Sequence, residues 1–178
     1  MRTTTIALGA LAVLALAGCG KKNSVEAKNE SVASVAEKVA NSGEVKMRPG
    51  QWETRMKVEK LDMPGLPPQV AGQMQKAMGM EKVVSACVTQ AQLDQPNGGM
   101  FRRTMPDCQY DSFSMGGGKV EGKMTCHRGP GLQTMTMSGS YGPDDSAMTL
   151  TTEAQVDAKM PMNMTMSMTS HRTGDCTG

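Results

Sequence analysis

The chain has 178 residues, a formal net charge of +2 and 20% charged residues. This near-neutral balance offers no extended basic surface for nucleic acid, and the length suits one folded domain rather than two. Aromatic residues make up 3% of the chain while methionine occurs 19 times, so methionine must supply much of any core. Because methionine specifies a unique packing poorly, we expect covalent staples.

The N-terminus carries the features of a bacterial lipoprotein signal. Residues 6–17 form an uncharged apolar run that is too short to span a bilayer comfortably and that leads into Leu16-Ala17-Gly18-Cys19. These four residues resemble the lipobox, which implies that residues 1–18 are cleaved and that Cys19 is acylated. The expected location is the cell envelope, with the chain anchored in the outer membrane and facing the periplasm. An ordinary signal peptide or an uncleaved anchor is the alternative.

Residues 19–46 are predicted to be the lipidated N-terminus and a flexible tether. The segment opens with polar residues 20–24, after which valines and alanines recur at loosely helical spacing. A short amphipathic helix is one interpretation, but the pattern is weak and a solvated spacer is favoured. The folded domain is accordingly expected to comprise residues 47–178.

This domain is predicted to open with a strand, a helix and a second strand. Apolar and polar residues alternate with period two from Trp52 to Glu59, which predicts a strand with one dry face. Pro68 suits the first turn of a short helix near residues 68–79. Residues 82–89 are predicted to form the next strand, and residues 90–100 a loop or a single helical turn.

Four cysteines remain in the mature part of the chain: Cys87, Cys108, Cys126 and Cys176. An even number in an exported protein indicates disulfides, and no pair has the Cys-x-x-Cys spacing of a zinc or redox site. A hairpin centred on Gly117 would place Cys108 opposite Cys126, within disulfide range, and Asp111 opposite Lys123. We therefore predict the pair Cys108–Cys126 and, by elimination, Cys87–Cys176. Free or differently paired thiols are the alternative.

Two further turns continue the alternating pattern. Residues 142–145 separate a strand over 134–141 from one over 146–156, and a turn around residues 157–159 leads into the last strand. With Pro143 and Asp144 at the tip of the first turn, one sheet face collects the apolar side chains, namely Met135, Met137, Tyr141, Met148 and Leu150. A longer loop would shift this register.

The predicted fold is mostly β. We expect an antiparallel meander of six or seven strands that forms a curved sheet, a sandwich or an open barrel. One short helix near residues 68–79 and two disulfides complete it.

Several of these motifs, taken in order, resemble a bacterial family of exported proteins and lipoproteins known as domain of unknown function 3617. They are Met47 to Glu53 (Met-Arg-Pro-Gly-Gln-Trp-Glu), Met63-Pro64-Gly65, Cys87-Val88-Thr89, Cys108, Cys126, the Met-Thr-Met repeats and Gly174-Asp175-Cys176. The resemblance covers roughly residues 46–178. Because the family has no established activity or ligand, the resemblance implies no catalytic residue.

The last predicted strand allows more than one interpretation. It carries five methionines in alternation, Met160, Met162, Met164, Met166 and Met168, and His171 follows. The favoured interpretation is a buried sheet face in which methionine replaces valine and leucine, because few other large apolar residues are available. Thioether sulfur also suits copper(I) and silver(I), so the same residues, with the His171 imidazole, are candidate metal ligands. Sacrificial oxidation of the sulfurs is a third interpretation.

A second binding hypothesis rests on Trp52 near the first strand and Arg172 in the last. This arrangement is reminiscent of lipocalin-like barrels, in which an early tryptophan packs against a late basic residue, and a methionine-lined cavity would accept apolar ligands. The simpler interpretation is that Trp52 anchors the core and that Arg172 is solvated.

No motif indicates an enzyme. The sequence has no Gly-x-Ser-x-Gly elbow, phosphate loop or His-Glu-x-x-His helix, and its cysteines are assigned to disulfides. The predicted function is a non-catalytic binding or structural role in the periplasm, with the membrane contacted through the lipid and the protein or small-molecule partner unknown. No cofactor is expected; copper(I) or silver(I) binding and lipocalin-like binding of an apolar ligand are the alternatives.

Overall fold

A computed structural model describes residues 24–45, 47–94, 105–128, 131–157 and 160–176. Its strands are β1 (Val25–Ser31), β2 (Gly50–Asp62), β3 (Lys82–Val88), β4 (Cys108–Gly116), β5 (Lys119–Arg128), β6 (Gly131–Tyr141), β7 (Asp145–Asp157) and β8 (Met160–Gly174). Its helices are α1 (Val32–Ser42), α2 (Pro68–Met78) and α3 (Gln90–Leu93). The predicted signal peptide and Cys19 of the predicted lipobox lie outside the described residues.

The described strands form one eight-stranded antiparallel sheet in the order β1-β4-β5-β6-β7-β8-β2-β3. This confirms the prediction of a mostly β, antiparallel fold. Of the three shapes that the sequence left open, the structure has a single open sheet with β1 and β3 as its edge strands. Strands β4 to β8 form the predicted meander, and β2 and β3 extend it beyond β8.

Residues 25–42 belong to the folded domain, so the prediction of a flexible tether for this stretch is wrong. β1 pairs with β4, with Val25 opposite Met115. α1 follows directly: the side chain of Ser31 accepts a hydrogen bond from the Ser34 amide at 3.2 Å, and Gly43 ends the helix at a φ of 67°. A strand and a capped helix therefore replace the predicted spacer.

This stretch is folded because α1 covers one side of the hydrophobic core, here called the main core. Its buried side chains recur at the spacing of a single helix face and are Val32, Val35, Ala36 and Val39. They pack against larger side chains of the sheet, chiefly Tyr110, Phe113, Met115 and Met124, each at most 2% exposed. Valine and alanine suffice on the helix because the larger side chains of the sheet fill most of the core. Since the helix lacks large apolar residues, its amphipathic pattern looks weak in the sequence.

The β4–β5 hairpin confirms the predicted pairing of its cysteines but changes the register beyond them. Gly117 and Gly118 form a two-residue turn with φ values of 61° and 79°, and Gly116 lies opposite Lys119. A bulge between Tyr110 and Ser112 absorbs the resulting one-residue shift.

As a consequence, Lys123 lies opposite Ser112. The prediction that Asp111 lies there is wrong. The Asp111 carboxylate instead accepts a hydrogen bond from the Thr125 hydroxyl at 2.9 Å. The sequence carries a trace of this bulge, because the buried apolar positions of β4 change from Cys108 and Tyr110 to Phe113 and Met115, a shift of one residue in the alternation.

Within the described residues, the predictions for the early helix and for the turn after β3 are confirmed, whereas residues 95–100 of the predicted loop lie outside them. α2 has Pro68 at its first turn and ends at Gly79, and α3 is the single turn expected after β3, with Thr89 in a capping box with Gln92. Both predicted disulfides are present, Cys108–Cys126 and Cys87–Cys176. The second ties edge strand β3 to the chain after β8, across the intervening strand β2.

Candidate functional site

One face of the sheet carries methionine from β6 to β2. The predicted register of β6 and β7 is confirmed, because Tyr141 lies opposite Ser146 and Met137 opposite Leu150. The pairing of β7 with β8 and of β8 with β2 extends the same face. We call its outer part the methionine face, which comprises Met56, Val58, Leu150, Met162, Met164, Met166 and Met168.

The methionine face is half-buried rather than buried. α1 packs on β1 and β4, and in the described chain no helix makes a substantial contact with β7 or β8. Met135, Met137 and Met148 pack against the main core, whereas the β8 methionines lie beyond it. The side chains of the face shelter one another: Thr152, between Met135 and Met164, is only 3% exposed. The favoured interpretation, a buried core stripe, therefore describes the strands on the α1 side better than it describes β8.

Three methionines face one another across adjacent strands. Met148 of β7 lies opposite Met168 of β8, which lies opposite Met56 of β2. Directly opposed side chains in a sheet lie close enough to interact. This row brings three thioethers together, and Met166 follows Met168 on the same face.

The opposite face of the sheet is polar. Hydroxyls line its β7 and β8 strands, where the Oγ1 atoms of Thr151 and Thr165 are 3.4 Å apart. On β2, this face carries both acidic and basic side chains. Glu59 accepts hydrogen bonds from Lys57 at 2.9 Å and from Ser167 at 2.7 Å, which lower the pKa of this carboxyl. The two faces of the sheet are thus chemically distinct.

His171 lies on this polar face, opposite Asp145 and Glu53. His171 comes three positions after Met168, an odd offset, so the alternation of a strand points the two side chains to opposite faces. The prediction that its imidazole joins the methionines as a metal ligand is therefore wrong. Of the other candidate ligands, Met162, Met164, Met166 and Met168 share the methionine face, and the side chain of Met160 is outside the described set.

At one end of the methionine face, side chains of the sheet hold a short segment between α1 and β2, of which the structure describes residues 43–45 and 47–49. We call this segment the end wall and define it by Glu44, Arg48 and Pro49. The Trp52 indole donates to the Arg48 carbonyl at 3.0 Å, and the Arg172 Nε donates to the Pro49 carbonyl at 2.7 Å. Arg48 in turn pairs with Asp144, in the turn between β6 and β7.

Tyr141 fixes the other half of the end wall. Its hydroxyl donates to Glu44 at 2.8 Å, across 97 residues of sequence. Burial, followed by this hydrogen bond and the Glu44 charge, raises the pKa of Tyr141 to about 12. A neutral phenol at any physiological pH therefore holds the wall against β6.

The structure brings Trp52 and Arg172 together as direct cross-strand neighbours on β2 and β8. Trp52 is 3% exposed, and the Arg172 side chain is 19% exposed and pairs with Asp175. The simpler interpretation expected a solvated Arg172, but most of its side chain is buried. The two residues are neighbours in an open sheet, and each holds a carbonyl of the end wall.

The described residues offer little else for chemistry. Among them, no three His, Cys, Asp or Glu side chains gather closely enough to hold a metal ion. No helix in the same part of the chain is long and apolar enough to cross a membrane. Sequence reasoning missed the end wall and the place of Met56 in the methionine face; only the alternation of β2 hinted at the latter.

The comparisons with known proteins identify the family. The family described as "Protein of unknown function (DUF3617)" matches residues 47–176. The chain belongs to this family. No curated protein and no solved structure matches it. Because the match begins at residue 47, β1 and α1 precede the part that defines the family, although they complete its sheet and core.

Proposed function

We propose that this member of the family is a non-catalytic protein of the cell envelope that binds an apolar acyl-chain ligand on its methionine face. In this proposal a lipid anchors it in the outer membrane, and the domain faces the periplasm. The single observation that carries the proposal is the half-buried methionine face of β8 and β2. It forms one apolar surface that α1 does not cover, next to a core that α1 does cover.

The chemistry of the face favours an extended apolar ligand. Contiguous apolar surface that stays exposed on a folded protein marks a binding site more often than a packing defect. Methionine side chains are flexible and polarisable, so they adapt to chains of different shape without a rigid pocket. The β8 methionines from Met162 to Met168 form a row of about 20 Å, which suits a linear chain better than a compact molecule.

The proposal is tested with the oxidised chain from residue 20, made without lipid and titrated with a fluorescent long-chain fatty acid. We expect saturable binding that unlabelled palmitate displaces. Met166→Glu should abolish it, because a charge on the face would have to be desolvated. Thr165→Glu is the matched control, since the neighbouring residue points to the polar face and should leave binding unchanged.

A second readout avoids the risk that Met166→Glu unfolds the protein. In the unaltered chain with isotopically labelled methionine methyl groups, palmitate should shift the nuclear magnetic resonance signals of Met164 and Met166. The signals of Met115 and Met124, which are 1% and 2% exposed, should stay in place. Absence of saturable binding by the folded chain, or equal shifts at all four methionines, would contradict the proposal.

The row of Met56, Met148 and Met168 favours a second candidate function, the binding of copper(I) or silver(I) by thioethers. The test is a competition titration against a chromophoric copper(I) chelator. Stoichiometric binding that is lost in Met56→Leu/Met168→Leu would support it, and no competition at any chelator ratio would reject it. Because leucine keeps the surface apolar, the same double variant should retain acyl-chain binding and so separates the two functions.

A further inference from the structure

We infer that the folded domain stands on the membrane that holds its lipid, with the end of the sheet where β1 begins facing that bilayer. The inference rests on the acylation of Cys19 in the proposed function. β1 begins at Val25, so the chain between the acylated cysteine and the sheet spans at most about 20 Å even when fully extended. The start of β1 is therefore held close to the lipid headgroups.

The strand register shows which other parts of the molecule share this end, here called the anchor end. Val25 lies opposite Met115, next to the β4–β5 turn. The pairing across β5 to β7 places the turn at residues 142–144 on the same end. The start of β2 and the last residues of β8 also lie there, since Gln51 is opposite Gly174.

The end wall lies at this anchor end. Trp52 and Arg172 hold the carbonyls of Arg48 and Pro49 over the start of the methionine face, and Tyr141 holds the wall against β6. The end wall therefore lies between the methionine face and the bilayer that carries the anchor.

β8 contains a series of probes that reports this orientation. Its end near His171 lies at the anchor end, because His171 is opposite Asp145 in the β6–β7 region. The methionines then follow in the order Met168, Met166, Met164 and Met162, at intervals of about 7 Å. A signal that depends steeply on distance from the headgroups should change in the same order.

The experiment uses the acylated protein with isotopically labelled methionine methyl groups, inserted into nanodiscs of phosphatidylethanolamine and phosphatidylglycerol. A fraction of the lipids carries a nitroxide on the headgroup. We expect paramagnetic loss of intensity to fall steadily from Met168 to Met162, with the Met168 signal losing several-fold more intensity. Uniform loss along β8, or greater loss at Met162, would overturn the inferred orientation.

The control lengthens the connection without changing the domain. Insertion of about 20 Gly and Ser residues after Gly20 should flatten the gradient, because a flexible chain of that length lets the domain tumble freely. Mass spectrometry of the N-terminal peptide separates the two proposals. An unmodified Cys19 would overturn both the anchor and the orientation, whereas an acylated protein without a gradient would overturn the orientation alone.

Discussion

The hydroxyl of Tyr141 lies where two distant parts of the chain meet. It joins the end of β6 to Glu44, just after α1, and so couples the helix that covers the core to the end wall. Neither residue is unusual in the sequence. The importance of the pair comes from its position and from a phenol that stays protonated.

This contact predicts a specific pH dependence of stability. The pKa of Tyr141 is raised from 10.0 to about 12 in the folded protein. The stabilisation is complete below pH 10, and it is lost as the pH rises towards 12, because the unfolded chain ionises first. Ultraviolet titration should show no phenolate from this residue near pH 10, and urea unfolding should show the fall in stability above it.

Tyr141→Phe is the variant that isolates the effect. Burial also raises the pKa of Tyr110, so the parent chain carries two such tyrosines. The variant should lose part of the alkaline slope and keep the part that Tyr110 contributes. An unchanged slope would show that Tyr141 titrates normally.

At the scale of elements, α1 is the part of the molecule whose loss should matter most. Val35 is 0% exposed at the centre of the helix–sheet contact. Val35→Ala removes two buried methyl groups and should lower the free energy of unfolding by about 2 kcal/mol. Glu37→Ala, on the exposed side of the same helix, should change it by less than about 0.5 kcal/mol. Urea unfolding of the oxidised protein measures both values.

The same reasoning predicts the behaviour of a shorter chain. A chain that starts at residue 47 contains the whole segment matched by the family but lacks β1 and α1. It leaves Phe113 and Met115 without a cover, and we expect it to aggregate or to lack a cooperative unfolding transition. A stable, cooperative fold of that chain, seen by circular dichroism, would show that α1 is dispensable.

At the scale of the whole molecule, the two disulfides protect the sheet differently. Cys108 and Cys126, within the core, are 8% and 1% exposed, whereas Cys87 and Cys176 are exposed at an edge. Their sequence separations are 18 and 89 residues. The longer loop restricts the unfolded chain more, by roughly 4–5 kcal/mol against about 3 kcal/mol.

Reduction should therefore proceed in a fixed order. A mild thiol reductant is expected to open Cys87–Cys176 first, because its sulfurs are accessible to an attacking thiolate. Alkylation followed by mass spectrometry should find Cys87 and Cys176 modified while circular dichroism still reports a folded sheet. Modification of Cys108 and Cys126 should appear only as the protein unfolds, and their earlier modification would contradict the assignment of this pair to the core.

Much of the fold followed from local patterns. Period-two alternation predicted the strands, paired turn residues predicted two hairpins, and the positions of the cysteines predicted both disulfides. The alternation also contained the correct position of His171 on the face opposite Met168. The prediction that His171 joins the methionines as a metal ligand failed because closeness in sequence was given more weight than the direction in which a strand projects its side chains.

By itself, the sequence determined the alternation of polar and apolar residues, the turns and the pair Cys108–Cys126, because these depend on neighbours within a hairpin. The pair Cys87–Cys176 followed only by elimination. Only the tertiary structure decided which part of the apolar face is covered. β1 pairs with β4 across roughly 80 to 90 residues of chain, and α1 covers the core only because that pairing places it there. The half-buried methionine face and its end wall arise from such distant contacts, which no local pattern encodes.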